Sequence, residues 1–135
     1  MKQTPILERF SSGGPFEERV GYSRVVRAGT LVFVSGCTAM AEEGYVIGAG
    51  SVYEQACEAL RRVEGALAQA RASLADVAQT RIYLTEVERW EEAARAHREV
   101  LGAIRPATSM VAVAALIDPR LLVEIEAVAV SAEGS

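Results

Sequence analysis

Several residue types are scarce in this chain, and each scarcity excludes a class of protein. Only 6% of the 135 residues are aromatic and the formal net charge is −4, so the basic surface of a nucleic-acid-binding protein is not expected. One histidine and two distant cysteines give neither a zinc-ligand spacing nor a disulfide framework. No stretch reaches the roughly 18 uncharged apolar residues of a membrane span. We therefore expect a cytoplasmic protein with no metal, no cofactor, no nucleic-acid partner and no membrane contact.

Well-known catalytic motifs are also missing. With one histidine and no Gly-x-Ser-x-Gly, a serine-type triad has almost no support. The Gly-Gly-Pro at 13–15 is not followed by Gly-Lys-Ser/Thr, so a phosphate-binding loop is not predicted. Composition and simple motifs thus leave the chemistry open.

Apolar residues are plentiful, at 50% of the chain, and they suffice for one core. The length is that of one ordinary domain, so we expect a single domain over residues 1–135 with an N-terminal extension over 1–20. Residues 8–21 contain Ser11-Ser12-Gly13-Gly14-Pro15, which predicts an ordered loop rather than a strand.

The hydrophobic pattern predicts a sheet with helices on one face. Two helices are expected behind Ser51 and Thr85, each of which begins a Ser/Thr-x-x-Glu capping box followed by apolar residues at helical spacing. Strands are expected on both sides of Gly29-Thr30 and further along the chain, over 22–28, 31–35, 77–84, 108–115 and 121–131, with a weaker one at 45–47. This alternation indicates a helix-covered sheet.

The last predicted strand has two different faces. Val123, Ile125, Ala127 and Ala129 alternate with a face that begins with glutamates and continues with valines. Two helices cover only one side of the sheet, so the second, partly apolar face is most simply buried against other copies of the chain. We expect an oligomer.

A few reactive side chains are candidates for chemistry. Glu124 and Glu126 lie within an apolar strand, where burial would raise their pKa; a general acid/base role and a simple salt bridge or exposed edge are equally compatible with the pattern. His97 lies on an apolar helical stripe and is interpreted as structural. Cys37 follows Gly36 and could be a nucleophile, but no base is indicated, so a small buried thiol is the favoured interpretation, and Cys57 is interpreted as a packing residue.

Five short segments in order resemble the reactive intermediate deaminase superfamily, also called Rid or YjgF-type, over residues 20–130. The segments are Tyr22-Ser23-Arg24-Val25-Val26, Leu31-Val32-Phe33-Val34-Ser35-Gly36, Ser73-Leu74-Ala75-Asp76-Val77, Arg105-Pro106-Ala107-Thr108-Ser109 and Val123-Glu124-Ile125-Glu126-Ala127-Val128-Ala129-Val130. The resemblance implies an α+β, chorismate-mutase-like mixed sheet with two helices on one face. It also implies assembly as a homotrimer with clefts between subunits.

The resemblance further implies hydrolysis of reactive enamines and imines to keto acids and ammonia. In that family an arginine of a Pro-Ala-Arg-Ser motif clamps the substrate carboxylate, and a glutamate matching Glu124 orients the attacking water. A tyrosine matching Tyr22 lines the cleft, and the backbone around Ser35, Gly36 and Cys37 forms another wall.

The family's arginine is absent, because Thr108 stands in its place. A threonine offers one hydroxyl and no charge. Arg24 shares a strand face with Tyr22, so it either supplies the anion contact from another wall or pairs with Glu124, Glu126 or surface acids. The segment 13–17 leads into this strand, and we expect it to cap the cleft.

Three functions follow from these residues. The first is a Rid-like hydrolase in which Glu124 positions water and Arg24 or Thr108 binds substrate. The second is a trimeric small-molecule binding protein without turnover, which the absent arginine favours. A ribonuclease, a name that some relatives carry, is the weakest, because the chain is acidic and has few aromatic residues. A chaperone-like role is neither supported nor excluded.

Overall fold

The structure is a computed structural model that describes residues 6–132. Six strands form one sheet in the order β1-β2-β3-β6-β4-β5, in which only β4 and β5 are parallel neighbours. The elements along the chain are β1 (Leu7–Phe10), α1 (Pro15–Val20), β2 (Val25–Ala28), β3 (Leu31–Cys37), α2 (Val52–Gln69), β4 (Val77–Leu84), α3 (Trp90–Leu101), β5 (Ala107–Ala112) and β6 (Val123–Val130).

Helices α2 and α3 cover one face of this mixed sheet, which confirms the predicted α+β fold. Alternate residues of β6, from Val123 to Ala129, are buried against α2, whose apolar positions recur at helical spacing. The hydroxyl of Ser51 accepts from the main-chain N–H of Glu54 at 3.1 Å and so begins α2 as predicted. The core therefore lies between the sheet and these two helices.

The opposite face of the sheet keeps apolar side chains in contact with solvent. Phe33 of β3 is 44% exposed and Val130 of β6 is 51% exposed, and both alternate with fully buried neighbours. The predicted two-faced strand is confirmed. Exposed aromatic and β-branched side chains side by side on a sheet are typical of an interface.

The N-terminal segment differs from its prediction. Residues 8–21 are not a loop: β1 pairs with β2, and a short helix, α1, follows. The strand was missed because its partner, β2, lies further along the chain, beyond α1. The helix had a readable signal, since Pro15 is its first residue, Glu17 and Glu18 lie in its first turn, and Gly21 ends it with a φ of 91°.

Two further predictions were wrong in detail. Thr85 does not cap a helix; a 3₁₀ turn over Val87–Arg89 comes first, and α3 begins at Trp90. The weak strand at 45–47 is only an isolated bridge between Met40 and Val46. In both places a short sequence signal is present, but the main-chain hydrogen bonds that would form the predicted helix start or strand are not.

Candidate functional site

A pocket of about 760 Å³ opens where β3 and β6 meet the segment that carries α1. A volume of this order accommodates a small organic molecule. The pocket is lined by apolar groups of α1, α2 and the 117–121 segment and by a few charged side chains, which include Arg24, Arg62, Glu42, Glu124 and Glu126.

Glu124 is held against the main chain of β3. A methyl group built on Gly36 would overlap Oε2 of Glu124 and lie 2.7 Å from its Cδ, so a side chain at position 36 would displace this carboxylate from its present position. Glu124 is half-buried and projects from the face of β6 opposite the core. Among the described residues it accepts no hydrogen bond and forms no ion pair. The carboxylate is therefore positioned by packing and remains available to a ligand.

The surroundings of Glu124 raise the pKa of its carboxyl group above the ordinary value. Burial raises its pKa, the nearby charge of Glu126 raises it further, and Arg24 opposes both. Glu126 differs, because it accepts from the hydroxyl of Tyr83 and from Arg81 at 3.3 Å. Of the two glutamates that the sequence left open, Glu126 is thus engaged in an ion pair and Glu124 is not.

Arg24 lines the pocket, and three of its five N–H groups donate within the chain. Nη1 donates to the carbonyl oxygens of Ser35 at 3.0 Å and Gly36 at 2.7 Å, and Nη2 donates to the hydroxyl of Tyr22 at 3.2 Å. Its Nε lies 3.8 Å from Oε2 of Glu17. The acid that pairs with Arg24 is therefore Glu17, and none of the acids that the sequence suggested.

Glu17 was missed by the sequence analysis. It is 5% exposed, and its carboxylate accepts from the main-chain N–H and the hydroxyl of Ser12. Burial alone would raise its pKa, but these hydrogen bonds and the charge of Arg24 outweigh burial and lower it. The carbonyl of Glu17 accepts from the N–H of Tyr22 at 2.9 Å, so the 13–17 segment does lie against this wall of the pocket.

The wall formed by Ser35, Gly36 and Cys37 is held in place by a hydrogen bond to the segment before β2. The hydroxyl of Ser35 donates to the carbonyl of Ser23 at 2.7 Å. The Cys37 thiol is 2% exposed, and burial raises its pKa although Arg24 opposes the shift. A buried thiol with a raised pKa is a poor nucleophile. Cys37 thus contributes shape, as the sequence suggested.

Thr108 lies away from this pocket, on the edge strand β5. Its hydroxyl donates to the carbonyl of Pro106 at 3.2 Å and lies 2.7 Å from that of Thr80, which in turn lies 2.9 Å from Nε2 of His97. The hydroxyl of Thr108 is therefore occupied within its own chain. Burial lowers the pKa of His97, consistent with the predicted structural role.

Two kinds of site are not seen over residues 6–132. No group of three or more histidine, cysteine, aspartate or glutamate side chains is placed to hold a metal ion. None of the helices described has the length and apolar character needed to cross a membrane.

The fold and the pocket define a class: a small α+β domain whose mixed sheet carries a positioned carboxylate beside a ligand-sized cavity. The family model described as "Endoribonuclease L-PSP" matches residues 15–131. The chain belongs to this family, also known as YjgF or Rid, which confirms the resemblance drawn from the sequence.

Relatives of the chain support the same assignment. An uncharacterised protein of Streptomyces coelicolor is 35% identical over 89% of each chain. Rv2704 from Mycobacterium tuberculosis, a member of the YjgF/YER057c/UK114 family, is 50% identical, with a TM-score of 0.84 over 93% of this chain and 99% of its own. TdcF from Escherichia coli, whose structure holds bound serine, is 25% identical, with a TM-score of 0.76 over 97% and 100% of the two chains.

Proposed function

We propose that the pocket is the substrate site of a hydrolase that acts on small imines and enamines, and that Glu124 positions the attacking water. One observation carries this proposal: Glu124 is half-buried, lies against Gly36, faces the cavity and has no partner among the described residues. A carboxylate kept without a partner in a pocket costs stability, so its retention favours a chemical role. Tyr22, Arg24, Ser35, Gly36 and Cys37 form the surrounding walls.

Imine hydrolysis needs one group that first accepts a proton as a general base and later returns it as a general acid. Glu124 accepts a proton as the water oxygen bonds to the carbon of the protonated C=N group, which gives a carbinolamine. Glu124 then returns the proton to nitrogen, and it takes the proton of the hydroxyl group as the C–N bond breaks and C=O forms. That proton passes to the departing ammonia, so a carbonyl compound and ammonium leave and Glu124 is again a carboxylate. An enamine first takes a proton on carbon to become the imine. The raised pKa of Glu124 suits this cycle, because a base works best when its pKa approaches the pH.

A homo-oligomer, which the resemblance makes a trimer, is part of this proposal. The apolar sheet face that holds Phe33 and Val130 is continuous with the face from which Glu124 projects. A second copy packed on that face would bring further groups to the pocket. Thr108, on an exposed edge strand, is then the residue that faces a neighbour rather than its own pocket. We also propose a cytoplasmic location, in keeping with two free thiols.

The test is imine hydrolysis with matched variants. Imines are generated in situ by an amino-acid or amine oxidase, and their loss is followed with wild type, Glu124→Ala and Glu91→Gln, the last an exposed carboxylate on α3. We expect wild type and Glu91→Gln to accelerate hydrolysis equally and Glu124→Ala to lose at least about 100-fold, the usual contribution of a general base. Equal rates with and without the protein would overturn the proposal.

A second candidate is a small-molecule binding protein with no turnover. It is favoured by Thr108, which replaces the arginine that the resemblance leads one to expect and is bonded to Thr80 instead. In that case Glu124→Ala changes ligand affinity and there is no rate to abolish. A gain of imine hydrolysis in Thr108→Arg, from an inactive wild type, would support this second function.

A further inference from the structure

The chain between Phe10 and Arg24 leaves the sheet, forms α1 and returns to the same place. The N–H of Arg24 donates to the carbonyl of Phe10 at 2.9 Å, where β1 pairs with β2, so the two ends of the intervening segment lie side by side. Compact surface loops with adjacent ends are frequently functional. Such a loop can move as one piece without disturbing the sheet that holds its ends.

The 11–23 segment forms one side of the pocket described above. The remaining sides come from β3, β6, α2 and the loops that follow β3 and precede β6. The residues of the segment that line the pocket are Ser12, Gly14, Pro15, Phe16, Val20 and Tyr22. A ligand in the pocket is therefore enclosed on one side by a short loop rather than by the sheet or a long helix.

α1 is not attached to the protein by a hydrophobic face. Its only buried side chain is that of Glu17, and Val20 is 66% exposed. Phe16 is half-buried, and the guanidinium of Arg19 lies over its ring at 5.6 Å, which is a contact within α1. Surface helices usually bury an apolar stripe. Movement of α1 away from the pocket would therefore remove none of its side chains from the hydrophobic core.

The hydrogen bonds of this segment are largely internal. The carboxylate of Glu17 accepts from the main-chain N–H and the hydroxyl of Ser12, and its carbonyl accepts from the N–H of Tyr22 at 2.9 Å. Over residues 12–21, the structure describes one hydrogen bond or ion pair to a residue outside the segment. It is the ion pair between Oε2 of Glu17 and Nε of Arg24, at 3.8 Å. A single ion pair therefore connects α1 to the wall of the pocket.

Glycines lie at both ends of α1. Gly13 has a φ of 80° and Gly21 a φ of 91°. Beyond these glycines the main chain is held again, because the carbonyls of Ser11 and Ser23 accept from side chains of α2 and β3 at 3.1 Å and 2.7 Å. Glycine adopts positive and negative φ values about equally well, so a change of direction costs least at these two positions. They are placed as the hinges of a moving loop.

We propose that residues 12–22 form a lid on the pocket, with Gly13 and Gly21 as its hinges. The ion pair between Glu17 and Arg24 is the latch that holds the lid closed, and because it is formed in the structure, the structure shows the closed position. Opening leaves Arg24 in place, since its Nη1 donates to two carbonyl oxygens of β3. The lid controls entry whether the pocket hydrolyses a ligand or only binds it, so the inference goes beyond the proposed function.

The lid and the proposed interface between copies use different parts of the chain. The interface is expected on the sheet face of Phe33 and Val130. The lid begins beside Ser11, whose carbonyl accepts from Gln69 of α2, and α2 covers the opposite face of the sheet. We therefore expect the lid to open in the assembled protein, and the test uses that assembly.

The test is amide hydrogen exchange of the full-length, assembled protein, resolved by residue with nuclear magnetic resonance. The N–H groups of Tyr22 and Arg24 are matched, since each donates to a main-chain carbonyl at 2.9 Å. The first bond spans the hinge at Gly21 and breaks when the lid opens, whereas the second closes the base of the loop. We expect Tyr22 to exchange at least about 100-fold faster than Arg24, by an opening that low concentrations of urea do not accelerate. Equal rates at the two N–H groups would overturn the lid.

Two variants then test the latch. Glu17→Gln keeps the shape of the side chain and removes its charge, and Glu18→Gln is the matched control because Glu18 is exposed on the same helix. We expect Glu17→Gln to accelerate exchange at Tyr22 at least about tenfold and to leave Arg24 unchanged, while Glu18→Gln changes neither. Equal acceleration at Tyr22 and Arg24 would show that Glu17 stabilises the whole fold, and it would contradict the latch.

The variant Phe33→Glu separates the lid from the assembly. We expect Tyr22 to exchange at the same rate in this variant as in the wild type, because the lid does not need the second copy. Slow exchange at Tyr22 in the wild type and fast exchange in Phe33→Glu would show that the second copy holds the segment in place. That result would overturn the lid in the assembled protein.

Discussion

The carboxylate of Glu124 occupies the space that a side chain at position 36 would fill. A Cβ on Gly36 would overlap Oε2 of Glu124 and lie 2.7 Å from its Cδ. The carbonyl of the same glycine accepts from Arg24 at 2.7 Å. Because Gly36 has no side chain, the carboxylate of Glu124 can lie against its main chain, which also accepts a hydrogen bond from Arg24. The position of the proposed water-binding group depends on this glycine.

Gly36→Ala tests that dependence. We expect it to destabilise the protein by about 1–3 kcal/mol, the usual cost of overpacking, and to abolish most imine hydrolysis because Glu124 must move. Glu124→Ala in the same chain removes the overlap, so the double variant should regain most of the lost stability. The measurement is denaturant unfolding of all four proteins. Additive losses in the double variant would show that Gly36 is needed for another reason.

The ion pair between Glu17 and Arg24 gives a second prediction. Glu17→Gln keeps the shape of the side chain but leaves the partly buried Arg24 guanidinium without its acid, so we expect a loss of about 1–3 kcal/mol in the free energy of unfolding. The exposed Glu18→Gln, one residue further along α1, should change it by less than about 0.5 kcal/mol. Equal effects of the two variants in urea unfolding would contradict the role assigned to Glu17.

The pH dependence of that loss follows from the sign of the shift. The pKa of Glu17 is lowered in the folded state from its ordinary value of 4.5, so its contribution is complete above that value. It should fade as the pH drops below 4.5 toward the folded-state pKa. Wild type and Glu17→Gln should therefore converge in stability in acid and differ most at neutral pH. Curves that stay parallel from pH 7 to pH 3 would be inconsistent with a lowered pKa.

The sequence predicted those parts of the fold that rest on periodicity. The period of two over 123–130 assigned Val123 to the core and Glu124 to the other face, and both lie there. The strand over 77–84 was predicted with its observed ends. Periodicity could not supply β1, whose four residues become a strand only because β2 offers them hydrogen bonds.

The sequence could predict the position of a site residue only where that position follows from the residues next to it in the same strand. The shared strand face of Tyr22 and Arg24 left open whether Arg24 enters the cleft or pairs with an acid; in the structure both residues line the pocket, and Arg24 also pairs with an acid. Its partner Glu17 was not foreseen, because the contact depends on the reversal of the chain at Gly21, whose φ is 91°. The bond between Thr108 and Thr80 was also missed, since it requires the parallel register of β4 and β5.

Assembly gives a third prediction. We expect light scattering to report a mass three times that of the 14.4 kDa chain. Phe33→Glu would place a charge in the interface, where an unpaired carboxylate is strongly disfavoured, and should shift the mass toward one chain. Val87→Glu is the matched control, because Val87 is 56% exposed on a 3₁₀ turn outside the sheet. A trimer that survives Phe33→Glu would show that this sheet face is not the interface.

The last prediction concerns the pH dependence of stability due to His97, which is not mixed with that of another imidazole because the chain has no other histidine. Burial lowers the pKa of His97 in the folded state below its ordinary value of 6.5. The unfolded chain therefore binds a proton at a higher pH than the folded chain, and stability must fall as the pH drops below 6.5 toward the folded-state pKa. Above 6.5 both states hold a neutral ring, so no dependence on this residue is expected there.

The measurement is the melting temperature of wild type and His97→Gln between pH 8 and pH 5. Glutamine can still donate to the hydroxyl of Thr80, which lies 2.9 Å from Nε2 of His97, but it does not titrate in this range. We expect the wild type to lose its advantage over the variant progressively below pH 6.5, while the difference stays constant above it. Should the difference grow in acid instead, His97 would be stabilised in its charged form, and a carboxylate near the ring in the assembled protein would have to be sought.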